Sequence, residues 1–150
     1  MTRLKLHGEP LQEAWLDAYG HLNEAYYLVP FSNASWALQD HFEVGTAYFD
    51  ETGCALYTLE THLRYLDEVR APADLSIESA VLGVDGKRLH IGHWMMVGDK
   101  ECATFECMLL HFDTRAGGVA PFPDAIRERL EAAVLVPKPD WAGRAVKQLG

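Results

Sequence analysis

A chain of 150 residues, 49% apolar and 23% charged, suffices for one domain with its own core and needs neither disulfides nor metal to hold it. The net charge of -9 argues against nucleic acid, whose binders carry a basic stripe, so an acidic ligand has to be gripped by a local cationic patch. No stretch reaches the length of a membrane span and the N-terminus lacks a signal-like apolar run, so a cytoplasmic protein is expected.

Residues 11–16 read as a strand and residues 24–42 as a long helix, with Tyr27, Phe31, Ala34 and Leu38 at helical spacing. Leu28, Ser35 and Trp36 widen the apolar face, which predicts a helix mostly wrapped by other structure, and Pro30 falls near the start, where its missing N–H costs little. Between the two lies Asp17-Ala18-Tyr19-Gly20-His21-Leu22-Asn23. It places a carboxylate, a glycine turn, an imidazole and an amide at a strand-to-helix junction, where free backbone N–H groups face whatever lies in front of the helix. A carboxylate beside such an anion hole is a minimal kit for attack on a carbonyl. Asp is also favoured in turns and at N-caps, although Asp17 stands some way before the helix.

Residues 45–53 read as a loop. Strands follow at 54–69, 74–84, 88–97 and 101–114, with Asp85-Gly86 as the clearest hairpin signal. A short helix covers 123–135, and a Pro-rich tail ends the chain. A strand, a long helix, an antiparallel meander and a short helix are satisfied together by a curled sheet of about five strands wrapped around one helix. That is an α+β hotdog fold, with the domain over 1–135 and the tail over 136–150.

Cys54, Cys102 and Cys107 form no CxxC, and strand alternation sets Cys102 and Cys107 on opposite faces, so buried free thiols are expected. The histidines make no HxH or HExxH, and His90 and His93 fall on opposite faces; no metal site is expected.

Three blocks resemble the 4-hydroxybenzoyl-CoA thioesterase family, over residues 9–130. They are Asp17-Ala18-Tyr19-Gly20 followed by Tyr27, Leu75-Ser76-Ile77-Glu78-Ser79, and Lys87-Arg88-Leu89 with His93. A narrower likeness to the betainyl-CoA thioesterases of carnitine breakdown runs through Glu60-Thr61-His62-Leu63, Tyr65-Leu66, Glu68-Val69, Leu82-Gly83, Met108-Leu109-Leu110-His111 and Pro121-Phe122-Pro123. The resemblance implies an acyl-CoA thioesterase that yields a free acid and coenzyme A, with betainyl-CoA as the substrate the narrower likeness points to. It implies Asp17 as nucleophile or general base, and the backbone N–H of Glu24, seven residues on, as oxyanion donor. His21 and Asn23 depart from the founding pattern and are similar to the same segment of plant acyl-carrier-protein thioesterases. Asn23 is then a helix cap or a group orienting Asp17, and His21 a proton shuttle or a structural histidine.

Lys87 and Arg88, with Arg64 and His62 one strand over, are candidates to hold the phosphates of coenzyme A, against a plain solvated hairpin end. Tyr27, Trp36 and Tyr57 are candidate substrate contacts. Trp36, Tyr48, Tyr57 and Trp94 are candidates for an aromatic cage around a quaternary ammonium, although each ring taken singly is more often core packing, with Glu51 or Glu60 as counter-charge. No cofactor is implied, since coenzyme A is part of substrate and product. The resemblance also implies a homodimer or homotetramer joined sheet edge to sheet edge. The alternatives are a non-catalytic acyl-thioester-binding module, or a hotdog dehydratase, whose Pro- and Gly-rich histidine loop is not found in the sequence.

Overall fold

Alternating side chains and tight turns build the sheet in the computed structural model, which describes residues 2–150. β3 (Asp74–Val84), β4 (Arg88–Val97) and β5 (Lys100–Asp113) form an antiparallel meander. Asp85 closes its first hairpin, its Oδ1 accepting the N–H groups of Lys87 at 3.0 Å and Arg88 at 2.7 Å. β2 (Cys54–Tyr65) does not precede β3 in that meander, as the sequence suggested. It pairs with β5, from Cys54↔Asp113 to Tyr65↔Ala103, while β1 (Leu4–Pro10) covers β3. The order is β1-β3-β4-β5-β2, with a short β6 (Gly118–Val119) beside β5. Residues 66–73 therefore carry the chain from the β2 edge past β5 and β4 to β3.

The first strand also lies earlier than expected. Residues 11–16 are not a strand: Leu11 donates a last hydrogen bond to the Ala73 carbonyl (2.9 Å), and Glu13–Trp15 then turns as a short 3₁₀ helix. Leu11 and Trp15, whose apolarity suggested a strand, pack against the core from this turn. Residues 46–52, expected as loop, form α2 (Thr46–Thr52). The Asp40 carboxylate, from the end of α1, accepts the Thr46 N–H at 3.0 Å and Gly53 ends the helix at φ +75°, so only its stop comes from the residues that read as a loop.

α1 (Leu28–His41) lies on the inner face of the sheet and buries Phe31, Ala34 and Leu38 against Ile77, Ile91, Met95, Phe105 and Leu109. His93 is fully buried at the centre of this interface. Its Nδ1 lies 2.7 Å from Ser79 Oγ and its Nε2 2.9 Å from Ser35 Oγ, while the mutually stacked rings of Phe31 and Phe105 lie near-parallel to it. Burial pushes the imidazole down to about 3, so a neutral ring bonds helix to sheet. The curled sheet wraps α1 as expected and leaves Leu28, Val29 and Trp36 exposed on the side away from it. The expected division of Cys102 from Cys107 is corrected. A bulge opposite Met95 and Met96 breaks alternation at Cys102, and both free thiols pack against the main core.

The outer face carries a second apolar cluster of Ala80, Leu82 and Trp94. The chain after α3 (Asp124–Ala132) covers it as a strap. Val134 bridges to Val81, and the Leu135 N–H reaches the Val81 carbonyl at 2.8 Å. The Trp141 ring meets Trp94 edge-on at 5.2 Å and passes over Gly92, where a Cβ would stand 3.0 Å from the indole. Beyond it the Gly143 N–H donates to both Glu106 oxygens at 2.8 and 3.1 Å. No helix among the described residues is long and apolar enough to cross a membrane.

Candidate active site

Residues 16–22 fold back on themselves. Leu16 and Leu22 form an antiparallel bridge, the Asp17 N–H donates to the His21 carbonyl (2.8 Å) and the Gly20 N–H to the Asp17 carbonyl (3.1 Å). Gly20 sits at φ +79°, where a side chain is strained. Inside this turn Asp17 Oδ1 accepts the N–H groups of Tyr19 at 2.8 Å and His21 at 3.2 Å. Oδ2 has no hydrogen-bond partner among the described residues. The loop thus fixes the carboxylate by one oxygen and leaves the other available.

Asn23 follows as a helix cap: its side chain accepts the Ala25 N–H at 2.9 Å and starts the 3₁₀ turn Glu24–Tyr26, which runs through Tyr27 into α1. As the first residue of that turn, Glu24 has an N–H with no acceptor among the described residues. The helix start favours negative charge beside it.

Asp17, His21, Asn23, Glu24 and Tyr27 line one open cleft of about 600 Å³. Its far wall is Tyr65, Leu66, Asp67 and Glu68, from the end of β2 and the crossover after it. The Leu22 N–H to Val69 carbonyl bond (2.8 Å) and the His21↔Arg70 bridge bring this wall to Asp17. The Tyr65 hydroxyl donates to the Glu24 carbonyl at 3.0 Å, and its ring meets Tyr27 edge-on at 4.9 Å. Burial pushes the Tyr27 phenol up to about 12, with Cys102, Tyr65 and the carboxylates of Asp67 and Asp17 adding to it. Burial, and then Glu24, raise Tyr65 as well. Both phenols stay neutral. Lys100, bonded to Asp67 at 2.7 Å, holds that carboxyl below the usual range. Glu68 Oε2 pairs with Arg70 at 3.0 Å and lies 2.6 Å from His21 Nε2, near enough for an ion pair although the ring is not aligned for a hydrogen bond.

The cleft gathers Asp17, His21, Asn23, Glu24 and Tyr27 from the residues singled out in the sequence. It does not gather the others. Arg88 is paired to Asp85 at 2.6 Å in the β3–β4 hairpin, and Lys87 borders a separate cleft beside Val119 and Pro121. Arg64 lies on β2, and His62 lines a small cavity of about 190 Å³ under the strap. Trp36 is exposed on α1, Tyr48 bonds His111 at 2.8 Å, Tyr57 stacks on Phe112 and Trp94 is buried beneath Trp141. Within one chain these four rings form no common cage, because they stand on different elements and faces. Glu51 and Glu60 also lie away from Asp17, at other clefts. Tyr65, Asp67 and Glu68 had not been singled out as site residues. Their place at the cleft follows from the β2–β5 register and the crossover, for which the local sequence carries no signal.

A curled sheet around one helix, with the tethered Asp17 carboxylate at the helix mouth, defines a hotdog fold. The family described as the thioesterase-like superfamily matches residues 12–130. The L-carnitine dehydrogenase/betainyl-CoA thioesterase of Agrobacterium fabrum is 38% identical over 148 residues, covering 96% of this chain and 30% of that protein. The betainyl-CoA thioesterase of Pseudomonas aeruginosa is 36% identical over 149 residues, covering 95% of this chain and 94% of that protein. The chain therefore spans under a third of the two-activity relative and nearly all of the single-activity one. The crystal structure of a candidate thioesterase from Pseudomonas putida is 33% identical, covers 100% of this chain and 99% of that chain, and superposes with a TM-score of 0.82. The chain belongs to the thioesterase-like superfamily.

Proposed function

We propose that this chain hydrolyses an acyl-CoA thioester and that its substrate is betainyl-CoA, giving betaine and coenzyme A. The observation that carries the chemistry is one cleft holding both a half-tethered Asp17 carboxylate and the unclaimed Glu24 N–H. The relatives matched along nearly the whole chain support the substrate.

Asp17 Oδ2 either attacks the carbonyl carbon, forming a mixed anhydride that water then opens, or takes a proton from the attacking water. In both routes the carbonyl oxygen gains charge, which the Glu24 N–H at the helix start receives, and the C–S bond breaks to release the thiolate, which takes up a proton. A single donor of this kind is worth about 10²–10³ in rate. No Lys or Arg among the described residues lines the Asp17 cleft, which supports a grip on the coenzyme phosphates elsewhere, by Lys87 and Arg88 of the β3–β4 hairpin; Arg64, opposite Thr104 where Arg88 is opposite Leu110, stands too far along the sheet to join them, contrary to the sequence expectation. The open β2 edge, together with exposed Leu28, Trp36, Tyr57 and Leu59, supports a homodimer or homotetramer.

Free-thiol release from a panel of acyl-CoA esters tests the reading. Betainyl-CoA is expected to be cleaved fastest; no thiol from any ester would instead favour an acyl-thioester-binding module.

A further inference from the structure

In a betainyl group the quaternary nitrogen is one methylene away from the thioester carbonyl. Whatever recognises its charge must therefore stand in the cleft of the attacking carboxylate. Trp36, Tyr48, Tyr57 and Trp94 do not line that cleft; Tyr27 and Tyr65 do. A quaternary ammonium has no N–H, so it cannot form a hydrogen-bonded ion pair. The means left to a protein are aromatic faces and nearby negative charge.

The cleft offers both. Tyr65 is 51% exposed at its wall, yet held in place by its hydroxyl bond to the Glu24 carbonyl (3.0 Å) and by the edge contact with Tyr27 (4.9 Å). Tyr27, behind it, is 4% exposed, and its hydroxyl has no hydrogen-bond partner among the described residues. The acidic residues Asp17, Glu24, Asp67 and Glu68 line the same space, whereas Lys100 and Arg70 reach Asp67 and Glu68 without lining it.

Resting on the betainyl-CoA reading, we infer that Tyr65, backed by Tyr27 and faced by the cleft carboxylates, is the subsite for the acyl cation and sets the preference for a quaternary ammonium over a neutral group of the same shape. The ring is pinned by its own hydroxyl, so little side-chain freedom is lost when the cation settles on it.

The test compares kcat/KM for betainyl-CoA with that for 3,3-dimethylbutyryl-CoA, its uncharged isostere, in the wild-type chain, Tyr65→Phe and Tyr65→Leu. The wild type should favour the cationic ester. Tyr65→Phe keeps the aromatic face and should keep that ratio, even if the lost bond to Glu24 slows both esters. Tyr65→Leu should lower the ratio by about tenfold. If Tyr65→Leu slowed both esters equally, Tyr65 would only position the Glu24 segment and the inference would be overturned, with the betainyl-CoA reading intact. A wild-type enzyme with no preference for the cationic ester would overturn both. Thermal melting of each variant separates loss of fold from loss of preference.

Discussion

Of the histidine–glutamate pairs in this chain, the one at the cleft and the one under the strap differ most in surroundings. At the cleft, His21 faces Glu68, which is half exposed beside the Asp17 turn. Under the strap, His90 lies 3.4 Å from Glu106 with both side chains largely covered. Burial pushes the His90 imidazole down, opposed by the Glu106 charge, and both Glu106 oxygens accept the Gly143 N–H. Composition alone does not distinguish the pairs. What separates them is bonding capacity left open beside accessible space. The cleft has a free Asp17 oxygen and a free Glu24 N–H, whereas under the strap both Glu106 oxygens are taken up by the Gly143 N–H. The first arrangement suits chemistry and the second suits stability.

That contrast predicts opposite phenotypes. Asp17→Asn should lower kcat for thiol release by about 10³ or more with little change in melting temperature, since the amide oxygen can still accept the turn bonds. Glu106→Ala should do the reverse. Stranding the Gly143 N–H and His90 should remove about 2–3 kcal/mol in urea denaturation while kcat stays within about twofold. A large rate loss there would mean that the strap serves the reaction.

The buried His93 tests the helix–sheet seam by pH. Its folded pKa of about 3 lies below the ordinary 6.5, so the unfolded chain binds more protons between those values. Its contribution is whole above pH 6.5 and is lost as pH falls towards 3, at up to about 1.4 kcal/mol per pH unit. The pH slope of stability should be shallower in His93→Asn; an unchanged slope would place the titration elsewhere. The smallest effect belongs to Asn23→Ala, which should remove about 1 kcal/mol of stability through the lost cap and leave kcat within a few-fold. A loss of rate comparable to that of Asp17→Asn would move Asn23 from cap to chemistry.

β3 and β4 begin and end where the sequence placed them, because Asp85-Gly86 and Gly98-Asp99 punctuate the strands. α1 was legible from its period, and the Asp17 turn from residue types that lie next to one another. What could not be read depends on distance along the chain. β2 looks from its sequence like the first strand of a meander, and only its register with β5 sets Tyr65 opposite Ala103 and so beside Tyr27. The strap has no periodicity of its own; its seat is made by the missing side chain of Gly92 and by Trp94, some fifty positions earlier in the chain. The cage assembled from Trp36, Tyr48, Tyr57 and Trp94 fails for a related reason. Aromatic type was visible in the sequence, but the element and face of each ring were not.

The central claim is that Asp17 does the chemistry and not the holding. Mixing the Asp17→Asn variant with betainyl-CoA, and following binding by calorimetry alongside thiol release, tests it most directly. The account predicts intact ester bound with an affinity within a few-fold of the wild-type KM and almost no thiol. Thiol release at the wild-type rate would contradict it.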